Sequence, residues 1–472
     1  MAHKAYSGPS YTREMAEFAV NLKLSDVPPD VVARAKGLIL DGFGCGLFAA
    51  FLPWTKILAN LVQRLEPHGG QASVWGRGET TSAINAALLN GTMVQGYELD
   101  DANAACFHAC AVVLPAAFAA AEFIGVDKVN GEKLLTAIIA GFELGPRVGL
   151  CMNGDLMMVK GWHPPGIFGP FAAAVTAGIV LGLNADQMFH ALGIAGPQAA
   201  GLMAAQFGSM VKRMLCGKNS QSGVYAAMLA ADGFTGIENV FEQHYGGYCT
   251  TFTQTEDDFD LTQLSDGLGT RWETLRITLK RFCCSAMVMA PLDAVQELVA
   301  ETGLKACDVD AITVAATDTT ISHGGWWPYV PSGLTGAQMH IGFGIAMLLI
   351  EGDVFVDQMV EANVARPDLV ELANRVKVVR SEAREKLTRE YHRGADVEVL
   401  LKNGTVLRKT ADFFLGTCER PMSDAQMSEK YRKLASKTLP ITDVAAIEAC
   451  VWGLERETSI ARLAGILRGE PK

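Results

Sequence analysis

Glu98-Leu99-Asp100-Asp101 places three carboxylates within four residues, and His108 follows seven positions later. A carboxylate beside an imidazole is the usual apparatus for moving a proton. The next stretch, Ala109 to Ala121, is almost wholly apolar. The charged cluster therefore lies at the edge of something buried, where charges need partners or a purpose. A charge cluster at a helix end beside a core histidine has the same local sequence, so both readings stay open at this point.

Three further segments could join it. His163 sits in Gly161-Trp162-His163-Pro164-Pro165-Gly166. The prolines hold the preceding backbone off helix, so the imidazole lies in a loop that opens the next helix. Loop histidines on a rigid scaffold are good functional candidates, although a bond to a nearby carbonyl would explain this one equally. Lys212-Arg213 is a basic pair among apolar neighbours. It suits either a substrate carboxylate or an exposed helix face. Lys280-Arg281 precedes Phe282-Cys283-Cys284-Ser285, which fits an anion site at a domain junction or a solvated strand end. No three-ligand metal spacing and no G-x-S-x-G elbow is present. Together these residues point to proton chemistry on a small polycarboxylate, with no metal and no cofactor. Lys212, Lys280 and Arg281 would hold carboxylates, and His108 or His163 would deliver a proton. Glu98 or Asp101 would orient a histidine and raise its pKa.

The 472-residue chain has room for about two to four domains. At 49% hydrophobic and 19% charged it can bury a large core and is not a disordered chain. A net charge of −11 and a pI near 5.4 argue against a nucleic-acid partner. An anionic substrate must then be drawn by a local positive cluster. Eleven cysteines, an odd number without a C-x-x-C pair, describe neither a disulfide framework nor a zinc site. A reducing compartment, the cytoplasm, is the simplest home. The first ten residues carry no apolar signal-peptide core. Ala104–Val126 contains His108, Pro115 and Glu122, and Phe171–Leu183 is 13 residues long. Neither matches a membrane span of about 20 apolar residues, so both are expected as buried helices of a protein without a membrane partner.

The elements that must position these groups are mostly helical. Up to about Val240, helix follows helix across short glycine-bearing turns. Pro28-Pro29 ahead of Val31–Phe48 is a helix start with proline in the first turn. Asn130-Gly-Glu-Lys133 opens another helix through Phe142, and Asn184-Ala-Asp-Gln187 has the form of a capping box. No βαβ alternation, G-x-G-x-x-G fingerprint or fixed-period repeat is apparent. The texture changes near Thr270. Leu275–Phe282 and Asp310–Thr320 are expected as strands, Gly336–Glu351 as a helix, and Val397–Leu401 with Val406–Thr410 as a hairpin about Asn403-Gly404. The tail, Asp424–Leu467, returns to helix, with Thr442-Asp443 as a cap before Ala445–Leu454. The reading is mainly α with an α+β part. A large all-helical domain would hold both termini (1–268 and 424–472), and a smaller α+β lid domain (269–423) would close a ligand cleft between them.

Several segments follow one another in a recognisable order. They are Ala35-Lys36 with Leu38-Ile-Leu-Asp-Gly42, then Glu98 to Asp101, then His108 leading to Val113-Leu-Pro115. Gly141-Phe-Glu143 with Pro146-Arg147 and Gly161-Trp-His163 come next. Gly201-Leu-Met-Ala-Ala-Gln206 with Met210-Val-Lys-Arg213 and Tyr245-Gly-Gly247 follow. Lys280 with Cys283-Cys284, and Ser322-His323 with Gly325-Trp326, complete the series. In this order the chain resembles the MmgE/PrpD family, which includes 2-methylcitrate dehydratase and cis-aconitate decarboxylase, and it is most like the fungal-type cis-aconitate decarboxylases. The resemblance covers nearly the whole chain. It implies a helical domain with an α+β lid, a homodimer, no metal and a cleft between domains. Its active-site positions fall on Glu98, Ala102, His108, His163, Lys212 and Lys280, with an aromatic position at Trp327 or Tyr329. Three departures stand out. Glu98 replaces a family aspartate, Ala102 lacks a hydroxyl that the position can carry, and Ser285 and Met289 stand where members carry a histidine. The expectation is a lyase on a small di- or tricarboxylate, most simply a cis-aconitate decarboxylase-like enzyme. A 2-methylcitrate-type dehydratase or dicarboxylate epimerase is the alternative. The absent histidine motivates a third reading, a catalytically silent carboxylate-binding homologue.

Overall fold

The computed structural model describes residues 6, 8–105 and 107–470, and Cys106 and most of the N-terminal stretch considered above lie outside the described residues. Helices account for 60% of the chain and strands for 8%, so the fold is mainly α with a smaller α+β part.

The helical part begins with α1 (Tyr11–Asn21), α2 (Pro29–Phe48) and α3 (Pro53–Leu65). Proline at the first position starts α2 and α3, where its missing N–H leaves no bond unmade. A short pair, β1 (Ala72–Ser73) and β2 (Thr80–Thr81), precedes α4 (Ala83–Val94), the two-residue β3 (Asp101–Ala102) and α5 (Ala109–Ile124). Then come α6 (Gly131–Cys151), α7 (Gly154–Val159), α8 (Pro164–Leu181), α9 (Ala185–Ala195), α10 (Val211–Ala231) and α11 (Tyr248–Thr253). Asn130 caps α6, and Asn184 with Gln187 forms the capping box read from the sequence.

α10 runs against both α4 and α8, and glycine makes the crossings close. A Cβ on Gly217 would sit 2.1 Å from the Leu88 carbonyl oxygen, and one on Gly223 would sit 2.3 Å from the Ala173 Cβ. Lys212 is thereby carried at the start of a helix fixed on two sides. α6 and α8 are long and apolar enough to cross a membrane, and 94% and 89% of those stretches are buried inside the protein. The length of α8 exceeds the expected Phe171–Leu183 because Pro164 and Pro165 occupy its first turn.

The α+β part opens with β4 (Thr278–Leu279), α12 (Ala286–Thr302), β5 (Val309–Ala316) and α13 (Asp318–Gly324). α14 (Leu334–Met339), α15 (Ile341–Glu351), α16 (Glu361–Val364) and α17 (Pro367–Ala373) lead to β6 (Val376–Arg380). α18 (Glu382–Glu385), β7 (Ala395–Leu401) and β8 (Val406–Ala411) follow. The sheet runs β6-β5-β7-β8. β5 and β6 are parallel, so a helical crossover joins them, and the other pairs are antiparallel. α12 packs across β7 and β8. The chain ends in α19 (Asp424–Ala435), α20 (Ile441–Trp452) and α21 (Ala461–Arg468), and both α19 and α20 pack on α2.

The β7–β8 hairpin forms as expected, with Gly404 at φ 85° in its turn. Other expectations need correction. In Leu275–Phe282 only Thr278–Leu279 pairs, and Glu273–Arg276 is a 3-10 turn. A remote group fixes the turn that enters this segment: the Glu143 carboxylate accepts the Glu273 and Thr274 N–H groups at 2.8 and 2.7 Å. β5 stops at Ala316 because the Thr317 side chain accepts the Thr320 N–H and starts α13. The expected helix 336–351 breaks at His340, whose ring accepts the Phe343 N–H at 3.0 Å and caps α15. Pro440 precedes α20, so Thr442 and Asp443 lie inside its first turn and do not cap it.

Candidate active site

The acidic segment is fixed by its backbone. After α4 one 3-10 turn, Gln95–Tyr97, leads to Glu98 in the left-handed region at φ 55° and ψ 31°. A non-glycine residue held there costs about 1 kcal/mol or more and persists only where its surroundings enforce it. Two contacts do so. Lys430, on α19 and buried, donates to the Leu99 carbonyl at 2.6 Å, and it also pairs with Asp41 at 2.6 Å. β3 then pairs antiparallel with β4, Asp101 opposite Leu279 and Ala102 opposite Thr278. This two-residue ladder staples the carboxylates to Lys280.

The side chains form one buried ion network. Lys212 and Arg213 meet the same Glu98 oxygen, the guanidinium at 3.1 Å. Lys280 lies 3.5 Å from the other Glu98 oxygen and 3.4 Å from Asp100. Burial opposes ionisation of Glu98, but Lys212, Lys280 and Arg213 outweigh it and hold its carboxyl well below the usual range. Asp100 is buried too, and His108 and Lys280 lower its pKa despite that burial. The same exchange raises Lys280, whereas burial lowers Lys212 against the pull of Glu98.

His108 bonds Asp100 through Nδ1 at 2.8 Å. A carboxylate at Nδ1 makes that nitrogen the donor and leaves Nε2 for whatever the cavity holds. The His163 ring lies nearly parallel to it, 6.4 Å away between centroids. Its Nδ1 has no hydrogen-bond partner. Burial, then the neighbouring Lys212, holds the His163 pKa well below the ordinary histidine value, so this imidazole is neutral in the unliganded protein.

Glu98, His108, His163, Lys212 and Lys280 line a cavity of about 530 Å³, its open mouth included. His108 and His163 immediately precede α5 and α8, Lys212 lies in the first turn of α10, and Ser285 immediately precedes α12. Four long helices thus point their N-termini at one space, and that end of a helix favours anions. The α+β part contributes Lys280, Ser285, Met287, His323 and Arg393 to the lining. An adjoining cavity of about 740 Å³ shares Met287 and Arg393 with it. Among the described residues, no group of three or more His, Cys, Asp or Glu side chains is placed to hold a metal ion.

The MmgE/PrpD N-terminal domain matches residues 13–260, and the MmgE/PrpD C-terminal domain matches residues 282–456. The chain belongs to the MmgE/PrpD family. A cis-aconitate decarboxylase-like protein of Aspergillus oryzae is 35% identical to it over 97% of this chain and 97% of the relative. A cis-aconitate decarboxylase of Aspergillus terreus is 33% identical over 97% and 95%. The human cis-aconitate decarboxylase is 25% identical over 98% and 95%.

Of the residues singled out from the sequence, this MmgE/PrpD protein brings Glu98, His108, His163, Lys212 and Lys280 to the cavity, with Ala102 beside them. Four others go elsewhere. Asp101 accepts the Ala109 and Cys110 N–H groups at 2.6 and 2.8 Å and so caps α5. Burial and the charge on Asp100 raise its pKa to about 6. Arg281 lies outside the cavity lining and borders a separate pocket. It bonds Gln296 and covers the Phe282 ring. Trp327 is 55% exposed, and its indole N–H donates to the Asn374 carbonyl at 3.1 Å. Tyr329 is buried against Phe343, with its hydroxyl on the Val364 carbonyl. Sequence reasoning missed Asp100 as the partner of His108, Arg213 as a partner of Glu98, and Gln206, His323 and Arg393 in the lining. No local signal separates Asp100 from Asp101, because the β3–β4 register makes that choice.

Proposed function

We propose that this protein is a carboxy-lyase converting cis-aconitate to itaconate and carbon dioxide. One observation carries the reading: a histidine tied to a carboxylate and a second, neutral histidine share a buried cavity with two lysines. The cis-aconitate decarboxylases among its relatives support it. In the reaction the bond to one carboxylate carbon breaks and carbon dioxide leaves. The bond's electron pair forms a new double bond, and the old double-bond pair takes a proton at the far carbon. One proton is consumed per turnover. Lys212 and Lys280 hold the retained carboxylates by exchanging part of their bonding to Glu98 and Asp100. His108 or His163 delivers the proton, and Asp100 orients His108. A positioned proton donor contributes about 10²–10⁴-fold.

We also propose a homodimer as the working assembly. Leu202, Phe207, Met210 and Val211 are exposed along one segment, and such an apolar patch supports association with a second copy.

The test is to incubate purified protein with cis-aconitate and follow carbon dioxide and itaconate by mass spectrometry. Itaconate is expected, with His163→Ala losing about 10²–10⁴-fold in rate while staying folded. Folded protein that yields no itaconate overturns the reading. Water loss or epimerisation of a related polycarboxylate would then indicate a dehydratase or epimerase, and binding without turnover a silent homologue.

A further inference from the structure

The ion network poses a charge problem. Lys212, Arg213 and Lys280 are each already paired with Glu98 or Asp100. Arg393 donates to the Asn103 carbonyl. A tricarboxylate arriving here brings three negative charges into a buried space whose lysines are committed. Unpaired charge in such a place is costly. The wall must supply positive charge that the unliganded protein does not display.

His323 is the group built to do so. It sits near the end of α13, on the α+β side, and lines the same cavity as His163 and Lys212. It is buried; neither ring nitrogen has a hydrogen bond of good geometry, and the Thr319 carbonyl is a marginal acceptor for one of them. A buried imidazole beside a cavity, with at most one marginal bond, has capacity left for a ligand. We propose that His323 is a ligand-gated cation: a polycarboxylate in the cavity makes it take up a proton, and the imidazolium then bonds a substrate carboxylate from the α+β side.

The surroundings fit this switch. Burial drives the His323 pKa down to about 4, so the ring is neutral without ligand. Of the charges that face it, Lys212 on α10 disfavours the cation and Asp155 on α7 favours it. Asp155 is itself paired with Arg389 at 2.9 Å. His163 is electrostatically coupled to His323 and is also neutral, and the Thr319 carbonyl one turn back favours the cation. A carboxylate arriving beside the ring reverses this balance, because an adjacent negative charge raises an imidazole pKa. The proposal rests on the polycarboxylate reading of the cavity but not on which reaction follows.

The experiment uses propane-1,2,3-tricarboxylate, a saturated tricarboxylate with no double bond to rearrange. Its binding is measured by titration calorimetry at pH 7 in buffers of different ionisation enthalpy, which gives the number of protons taken up. The wild type is expected to take up at least one proton. His323→Asn is expected to take up about one fewer and to bind about tenfold more weakly, a loss of one pKa unit's worth of interaction. Its affinity should also depend less on pH between 6 and 8. His323→Gln serves as the second variant, and circular dichroism confirms the fold of each. Binding by the wild type without proton uptake overturns the proposal alone, as does unchanged uptake in a folded variant. Absence of binding to the wild type overturns the polycarboxylate reading with it.

Discussion

The two walls of the cavity are built on opposite plans. On the helical wall every charged group has its partner: Glu98 has Lys212 and Arg213, Asp100 has His108, and Asp101 has the first N–H groups of α5. From the α+β wall Lys280 joins that network as a cation, Thr335 and Gln338 accept from Arg213, and His323 has no well-formed hydrogen bond. The paired groups of the first wall are preorganised, and His163 is the group on it that keeps a ring nitrogen unbonded. The second holds bonding capacity in reserve. A site that must be rigid toward a reacting carbon and responsive toward a charged substrate can assign those demands to different walls.

Removing the cation that bridges the walls at Glu98 and Asp100 should have the largest effect. Lys280→Met leaves two buried carboxylates short of a cation. Breaking a buried ion pair from one side costs about 3–5 kcal/mol, and turnover should fall below detection. Urea unfolding and a product assay read both. Stability within about 1 kcal/mol of wild type would show that Lys212 and Arg213 suffice to hold the carboxylates of the helical wall.

Within the helical wall, Asp100 and Asp101 should separate by function. Asp100→Asn removes the carboxylate that fixes the His108 tautomer, and kcat should fall by about 10²-fold with stability little changed. Asp101→Asn weakens the cap on α5, costing about 1 kcal/mol, with kcat within a few fold. Equal losses of activity in the two variants would erase the distinction between orienting and capping.

That distinction marks how far the sequence is legible. The carboxylate cluster, both histidines and both lysines can be chosen from residue type and spacing, as can the capping box at Asn184 and the Asn403-Gly404 hairpin, because each is a local pattern. The remainder depends on contacts between distant segments. Glu143, from a distant helix, fixes the turn at Glu273 and Thr274 that leads into 275–282. The β3–β4 register decides that Asp100 meets His108 and Lys280. His323 looks like any histidine near a helix end, and only the packing of the α+β part brings it to the cavity. Trp327 and Tyr329 were chosen by resemblance in a region whose course no local pattern fixes.

Both walls should respond to pH. His163, His323 and His340 all have folded pKa values below the ordinary 6.5, the last two at about 4, chiefly through burial. The unfolded chain therefore binds protons at a pH where the folded one does not. Their contribution to stability is present above about pH 6.5 and is lost as pH falls toward the folded values, at about 1.4 kcal/mol per unit for each group. Thermal melts at pH 7 and pH 5.5 should show the loss. Propane-1,2,3-tricarboxylate should reduce it, because a bound anion favours protonated His163 and His323. The share of His340 should remain, since its ring is engaged with Trp326 and Phe343. A ligand that leaves the pH dependence untouched would place both cavity histidines out of its reach.

The smallest effects belong to the residues outside both walls. Arg281→Gln exchanges one polar contact with Gln296 for another, and Trp327→Ala removes a largely exposed ring. Each should change stability by about 0.5 kcal/mol or less. Tyr329→Phe leaves the Val364 carbonyl without its donor and should cost about 1 kcal/mol. All three should keep kcat/KM within about threefold, since none of them lines the cavity and a factor of three is worth only about 0.6 kcal/mol in the barrier. A tenfold loss of kcat/KM for Trp327→Ala, at unchanged stability, would mean that its segment covers the cavity during turnover. The α+β wall would then respond to substrate by moving backbone as well as by taking up a proton.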